Sequence, residues 1–239
     1  MDTTLAVIGD PHGAWDSLAR VVAHLRGQRI DGVLIVGDFF SRLVMGRSLN
    51  EDDQRQLDRD LDRTLRAVGV LGVPCAWVPG NHDPPTVQGP GNVDGRSGAI
   101  AGLRIAGIGG AGPNHFGFPY EWDEVDIRAR SLPPCDIILS HTPPVDTPLD
   151  ETAWGGHHAG SVAIRELARA HDGVLVCGHI HEAADSVQID RCLCLNAGAL
   201  GEPFGKAQVG YVRCSGDSSW RVEHQDLETG KLRSWARRT

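Results

Sequence analysis

The sequence contains no run approaching the ~18 apolar residues that a membrane-spanning helix requires, so a membrane-embedded protein is not expected. Its first residues, Met1-Asp2-Thr3-Thr4, lack the positive region of a secretory signal, and Asp10 interrupts the first apolar stretch. Basic charge is also short: 23 Lys and Arg stand against 31 Asp and Glu, a net charge of -8. Gripping a nucleic acid backbone takes a basic face, so nucleic acid is not an expected partner. Cysteine pairs are few. Cys75, Cys135 and Cys177 sit in apolar runs, where a thiol behaves as a small hydrophobe, and only Cys192 and Cys194 stand close together. In a strand that C-x-C spacing points both side chains to one face, but no second pair completes a thiolate zinc site. The expected location is a reducing cytoplasm. No linker, internal repeat or boundary divides residues 1–239, which are expected to form one domain long enough to bury a substantial core.

What is present is a rhythm of short apolar runs, each ending at polar residues. Leu5-Ala6-Val7-Ile8 stops at Gly9-Asp10-Pro11-His12-Gly13, and Val33-Leu34-Ile35-Val36 stops at Gly37-Asp38. Pro74 to Pro79 delivers Gly80-Asn81-His82-Asp83. Between them, Leu18, Val21, Val22 and Leu25 recur at helical spacing, as do Leu57, Leu61, Leu65 and Val68 within the charge-rich residues 51–69. A β-α-β-α-β opening of this kind implies parallel strands with right-handed crossovers, which places Asp10, Asp38 and Asn81 on one rim. Leu103 to Ile108 reads as an antiparallel or edge-like strand. Asp136 to Leu139 runs into Ser140-His141, Ser161 is placed to cap a helix through Ala170, and Val174 to Cys177 runs into Gly178-His179-Ile180-His181. Further strands are expected around Leu193 to Leu195, Val209 to Val212 and Trp220 to His224.

Five strand ends therefore carry potential ligands, oxygen donors mixed with imidazole and no thiolate, a set suited to a first-row divalent ion. In order they read Asp10-Pro11-His12, Gly37-Asp38, Gly80-Asn81-His82-Asp83, His141 and Gly178-His179-Ile180-His181. This succession resembles the ordered signature of the calcineurin-like metallophosphoesterases, with every block present between residues 10 and 181. The resemblance implies an α/β fold, a four-layer α-β-β-α sandwich of two mixed sheets flanked by helices. It also implies two divalent metal ions (manganese, iron or zinc, manganese favoured). Asp10, His12, Asp38 and His181 would hold one, and Asp38, Asn81, His141 and His179 the other, with Asp38 bridging. His82 would face the phosphoryl group as hydrogen-bond donor or acid, and Asp83 would either orient it or cap the loop.

The activity implied is hydrolysis of a small phosphomonoester or phosphodiester, nucleotide-like or a sugar phosphate, by a metal-bridging hydroxide. A nuclease on the same site, or a noncatalytic interaction protein on the same fold, are the alternatives. Arg42 occupies the Arg position of the G-D-x-x-D-R-G block of protein phosphatases, but Ser41 and Leu43 replace its Asp and Gly. It is a candidate phosphate clamp or a solvated loop arginine. His157 and His158 precede a helix start that could meet an anion, and one of them is a candidate for the pocket. Phe116, Phe118, Tyr120 and Trp122 are expected to pack as core or as a lid over it, with a pocket wall as the other possibility. Asn196-Ala197-Gly198 is expected to be structural, and Lys231, Arg233, Arg237 and Arg238 to form a solvated tail.

Overall fold

Alternation along the first strand sets the architecture. The computed structural model describes residues 2–113, 115–153, 155–217 and 219–237. In β1 (Thr3–Ile8), Leu5 and Val7 face one way and Ala6 and Ile8 the other, and all four are fully buried. A strand buried on both faces needs cover on both. The chain continues through α1 (Trp15–Leu25), β2 (Gly32–Ile35), α2 (Glu51–Gly69), β3 (Cys75–Trp77), β4 (Ser97–Ile100) and β5 (Leu103–Ile108). Then come α3 (Glu124–Ala129), β6 (Ile137–Ser140), α4 (Val162–Ala170), β7 (Val174–Cys177) and β8 (Asp185–Ile189). The last strands are β9 (Cys192–Asn196), β10 (Gln208–Cys214), β11 (Trp220–Asp226) and β12 (Leu232–Ala236).

Two six-stranded mixed sheets result, ordered β12-β11-β10-β1-β2-β3 and β4-β5-β6-β7-β9-β8. In the first, β1, β2 and β3 are parallel, with Val7 opposite Leu34 and Leu34 opposite Ala76. In the second, β5, β6, β7 and β9 are parallel. Leu5, Val7, Leu34 and Val36 meet Ile105, Ile137, Leu139, Val174 and Val176 between the sheets. Helices α1 and α2 cover the outer face of the first sheet, over Ala6, Ile8, Val33 and Trp77. Helices α3 and α4 cover the second, over Ile138, Leu175 and the buried thiols Cys177, Cys192 and Cys194. Three apolar interfaces between four layers make the sandwich that the sequence implied. Truncating Leu34 to Ala would cost about 2–5 kcal/mol, because its neighbours lie in both sheets and cannot collapse into the gap.

The helices start where their caps dictate. The Asn50 side chain accepts from the amides of Asp52 and Asp53, each at 2.9 Å, while the Asp53 carboxylate accepts from the Asn50 amide at 3.1 Å, a capping box for α2. Ser161 Oγ accepts from Ile164 N at 3.2 Å, as expected of the cap of α4. The amides of Val162 and Ala163 are taken by Glu124 of α3, at 2.8 and 2.7 Å. The α4 N-terminus is therefore satisfied by a carboxylate of this chain and is closed to an outside anion.

Two expectations need correction. β5 is antiparallel only to β4; on its other side it runs parallel to β6, so it is an interior strand. The basic C-terminal stretch is not a solvated tail but includes β12, an edge strand paired to β11. Charge does not prevent pairing at a sheet edge, where backbone hydrogen bonds hold the strand. Arg233 bonds the Ala184 carbonyl, and Arg237 pairs with Asp172 at 2.6 Å; Arg238 lies outside the described residues.

Candidate metal centre

Asp10, Asp38 and Asn81 follow the carboxyl ends of β1, β2 and β3, and His141 and His179 follow β6 and β7. The two sheets face each other, so all five strand ends open on one rim. The backbone there is held in unusual shape: Asp10, His12, Asp38 and His179 all have positive φ, at 27°, 41°, 56° and 68°. An L-residue in this region costs about 1–3 kcal/mol and persists only where its surroundings over-determine it. Close approach is built in as well. A Cβ on Gly80 would lie 2.0 Å from Asp38 Oδ1, and one on Gly178 would lie 2.8 Å from Asp10 Oδ1.

Backbone carbonyls fix the imidazole tautomers. His141 Nδ1 donates to the Val36 carbonyl at 2.7 Å, His12 Nδ1 to that of Phe40 at 3.2 Å, and His181 Nδ1 to that of Pro203 at 2.8 Å. Each ring is thereby left with a bare Nε2. His141 Nε2 then stands 2.9 Å from Asn81 Oδ1 and 3.5 Å from Asp38 Oδ2, and His179 Nδ1 stands 3.1 Å from the same Asn81 oxygen. His12 Nε2 is 3.2 Å from Asp38 Oδ2, and His181 Nε2 is 3.9 Å from Asp10 Oδ2. For His141 and His181, each with its Nδ1–H committed to a carbonyl, these contacts set a nitrogen lone pair against an oxygen lone pair, which repel unless positive charge sits between them. Asp10 Oδ1 and His12 Nε2 are buried with no hydrogen-bond partner among the described residues. Ligand atoms of Asp10, Asp38 and His141 lie within 4.8 Å of one another, as do those of His12, Asp38 and His82. The donor set and its orphaned atoms fit a pair of divalent cations, with Asp38 common to both groups.

The electrostatics carry the same demand. Burial and the neighbouring Asp38 push Asp10 well up from the usual carboxylate range. Burial pushes Asp38 the same way but is outweighed by His141, His82 and His12, so its carboxyl is held well below that range. His12 is disfavoured as a cation by burial, yet Asp38 and Asp10 lift it to about 9, drawing a proton to the place where a metal charge would serve. Burial lowers His179 to about 3 and His181 to about 4, so both are neutral and able to ligate near neutral pH.

His82 sits beside this group. Its ring is 4.6 Å from that of His12 and 4.5 Å from that of Phe118, and burial lowers it to about 4. Its amide donates to Asp38 Oδ1 at 2.9 Å. Asp83 does not orient it. That carboxylate is fully buried and accepts from the amides of Gly80, Phe39 and Phe40 at 2.8, 3.2 and 3.0 Å, clasping the second and third strand ends together. Burial and the Asp38 charge push it up to about 6, with the three N–H donors pulling the other way. Of its two expected roles, the loop cap is the one its contacts fill.

Arg42 lies in the wall of the cleft, but its guanidinium bonds Asp52 at 2.7 Å and Asp53 at 3.3 Å on α2. His158 turns to Asp150, at 2.8 Å, and that buried carboxylate also accepts from Thr147 N and Gly160 N, so the loop closes on itself. His157 is exposed, its carbonyl accepting from Thr152 N at 2.9 Å. The aromatic stretch divides: Tyr120 and Trp122 join the core over the second sheet, while Phe116 and Phe118 wall a narrow cavity with Asn81 and His179. Asn196 is structural, its Nδ2 donating to the carbonyls of Leu149, Gly178 and Ile180.

Sequence reasoning missed the carbonyls of Val36, Phe40 and Pro203, because a backbone oxygen carries no residue signature. It also missed 201–203, where the Gly201 amide bonds the Asp10 carbonyl at 3.1 Å and Pro203 holds His181.

Comparisons with known proteins bear on the fold and on the family. A search of the curated proteins found no match. One solved structure superposes with a TM-score of 0.70 at 16% identity, covering all of both chains. TT1561 of Thermus thermophilus does so at 0.61 and 16%, again over the whole of both chains. A dimetal phosphatase from Danio rerio gives 0.61 and 13%, covering 99% of each chain. These likenesses show a shared fold. The model of the calcineurin-like phosphoesterases matches residues 3–183, three-quarters of the chain and all five ligand-bearing strand ends, and to that family of metal-dependent phosphoric ester hydrolases the chain belongs.

Proposed function

We propose that the chain hydrolyses a small phosphate ester at a dinuclear centre, with Asp10, His12, Asp38 and His181 holding one divalent ion and Asp38, Asn81, His141 and His179 the other. The observation that carries this is the convergence of buried oxygen and imidazole donors on Asp38 and Asn81, with the His141 Nε2 lone pair turned on the oxygens of both. When bound, the ions supply Lewis-acid stabilisation of the phosphoryl charge and make water a nucleophile at neutral pH. Manganese is the metal we favour; carboxylate, amide oxygen and imidazole donors without thiolate suit it, as they suit iron and zinc. The chain's own residues do the rest. Carbonyls of Phe40, Val36 and Pro203 hold three imidazoles in the ligating tautomer. Asp83 fixes the spacing between the strand ends that carry Asp38 and Asn81.

His82 is the group placed to handle the leaving oxygen. Its ring lies in the wall of the larger cavity, between those of His12 and Phe118. Neutral in the buried site, it takes up a proton in the presence of phosphoryl negative charge and then donates it to the departing alkoxide. The leaving group occupies the cavity of about 440 Å³ beside His12, His82 and His181. On the far side, by Asn81 and His179, the space is about 30 Å³. That asymmetry favours esters with one organic arm, monoesters over diesters.

The test is a manganese-supplemented comparison of p-nitrophenyl phosphate with its bis-ester. The expected result is turnover of the monoester, abolished by chelation and restored by manganese. Turnover that survives exhaustive chelation would sink the assignment. The acidic composition favours a small ester over a nucleic acid, and a gel assay on single- and double-stranded DNA checks this.

A further inference from the structure

The larger cavity carries charge chemistry that metal binding does not use. Its only Lys or Arg among the described lining residues is Arg42, already committed to Asp52 and Asp53. The smaller cavity has none among its described lining residues, and its carboxylate, Glu121, is occupied by the amides of Phe116 and Gly117 at 2.7 and 2.9 Å. Glu202 in the larger cavity differs. It has no hydrogen-bond or ion-pair partner among the described residues.

Its backbone is pinned to the centre from both sides. Gly201 donates to the Asp10 carbonyl at 3.1 Å and packs so closely that a Cβ there would lie 2.4 Å from His12 Cβ. Pro203 accepts from His181 Nδ1 at 2.8 Å. The turn is tight beyond that, since a Cβ on Gly205 would fall 1.9 Å from the Gly201 carbonyl oxygen. The backbone that carries Glu202, a solvent-exposed carboxylate in the cavity lining, is thus held one residue from contacts with two candidate ligands.

We propose that Glu202 selects the leaving group, and that the preferred one is a small alcohol bearing an ammonium group. The inference rests on the phosphoesterase function proposed above. With the phosphoryl group at the metals, the alcohol portion extends along Ala14, Leu43 and Pro203, apolar surface suited to the methyl or methylene groups of an alkylammonium, and its charge meets Glu202. A leaving group with a second phosphate or a carboxylate meets Glu202 and no uncommitted cation. An uncharged alcohol falls between.

The experiment uses the manganese-loaded protein and three esters of similar size: phosphocholine, the dimethylbutyl phosphate that is its uncharged isostere, and carboxyethyl phosphate. The expected order of kcat/KM is ammonium, neutral, carboxylate, with about a fivefold first step, the size of a solvent-accessible ion pair. In Glu202→Gln the ratio of the first two falls to about one, and in Glu202→Lys the carboxylate ester overtakes phosphocholine. Because each result is a ratio within one preparation, altered folding or metal content cancels. A wild-type ratio near one, or a ratio that Glu202→Gln leaves unchanged, overturns the inference while leaving the phosphoesterase function standing. Absence of turnover for all three esters and for p-nitrophenyl phosphate overturns that function, and the inference with it.

Discussion

The two flanks of the centre are made from the same material, polar loops after parallel strands, yet they are open to very different extents. On the flank of His12 and His181 the loops 41–43 and 201–203 stand apart and leave about 440 Å³. On the flank of Asn81 and His179, Phe116 and Phe118 close the space to about 30 Å³. The closure has a local cause. Glu121 gathers the amides of Phe116 and Gly117, and the Gly117 carbonyl accepts from Gly46 N at 2.8 Å, which ties this loop to the one carrying Arg42. Ligands alone do not decide what a metal centre accepts; the loops between the ligand blocks do.

Breaking what the two flanks share should have the largest effect. Asp38→Asn keeps a side chain that tolerates positive φ but removes the charge common to both ligand groups. Turnover of p-nitrophenyl phosphate should fall by on the order of a thousandfold, about 4 kcal/mol of barrier. Metal analysis should show fewer than two ions per chain. His82→Ala removes the acid of the open flank, along with a ring contact to Phe118: kcat should drop by about a hundredfold or more on alkyl phosphates and much less on p-nitrophenyl phosphate, whose leaving group needs no proton. Equal losses on both ester types would remove the acid role.

Phe118→Ala opens the closed flank. Diester turnover relative to monoester should rise by about tenfold, against the loss of a ring contact with His82 worth about 0.5–1.5 kcal/mol. Ser161→Ala, on the α4 cap away from both flanks, should lower stability by about 1 kcal/mol in denaturant unfolding and leave kcat/KM unchanged.

The sequence showed the closed flank as a cluster of aromatics and could not apportion it. Tyr120 and Trp122 went to the core, Phe116 and Phe118 to the wall, because burial there depends on which way a glycine-rich loop turns. The candidate ligands come together for the opposite reason. They stand in the short loops that follow apolar runs of strand length, so the topology that buries the runs also gathers their ends. Asp83 and His158 are ambiguous in the sequence, since a carboxylate or imidazole in a loop serves backbone amides and substrates equally well; in the fold Asp83 serves Phe39, Phe40 and Gly80, and His158 serves Asp150. The short helix α3 left little periodicity in six residues, and its role as the partner of α4 comes through Glu124.

The positive φ angles at Asp10, His12, Asp38 and His179 bear on how this protein can change. At these four positions glycine relieves backbone strain, and at Asp10 it also removes a carboxylate disfavoured by burial and by the charge of Asp38. Selection for thermal stability alone, without a demand for turnover, should therefore enrich inactive variants at the ligand positions. A library sorted by melting temperature would map the centre by what it discards.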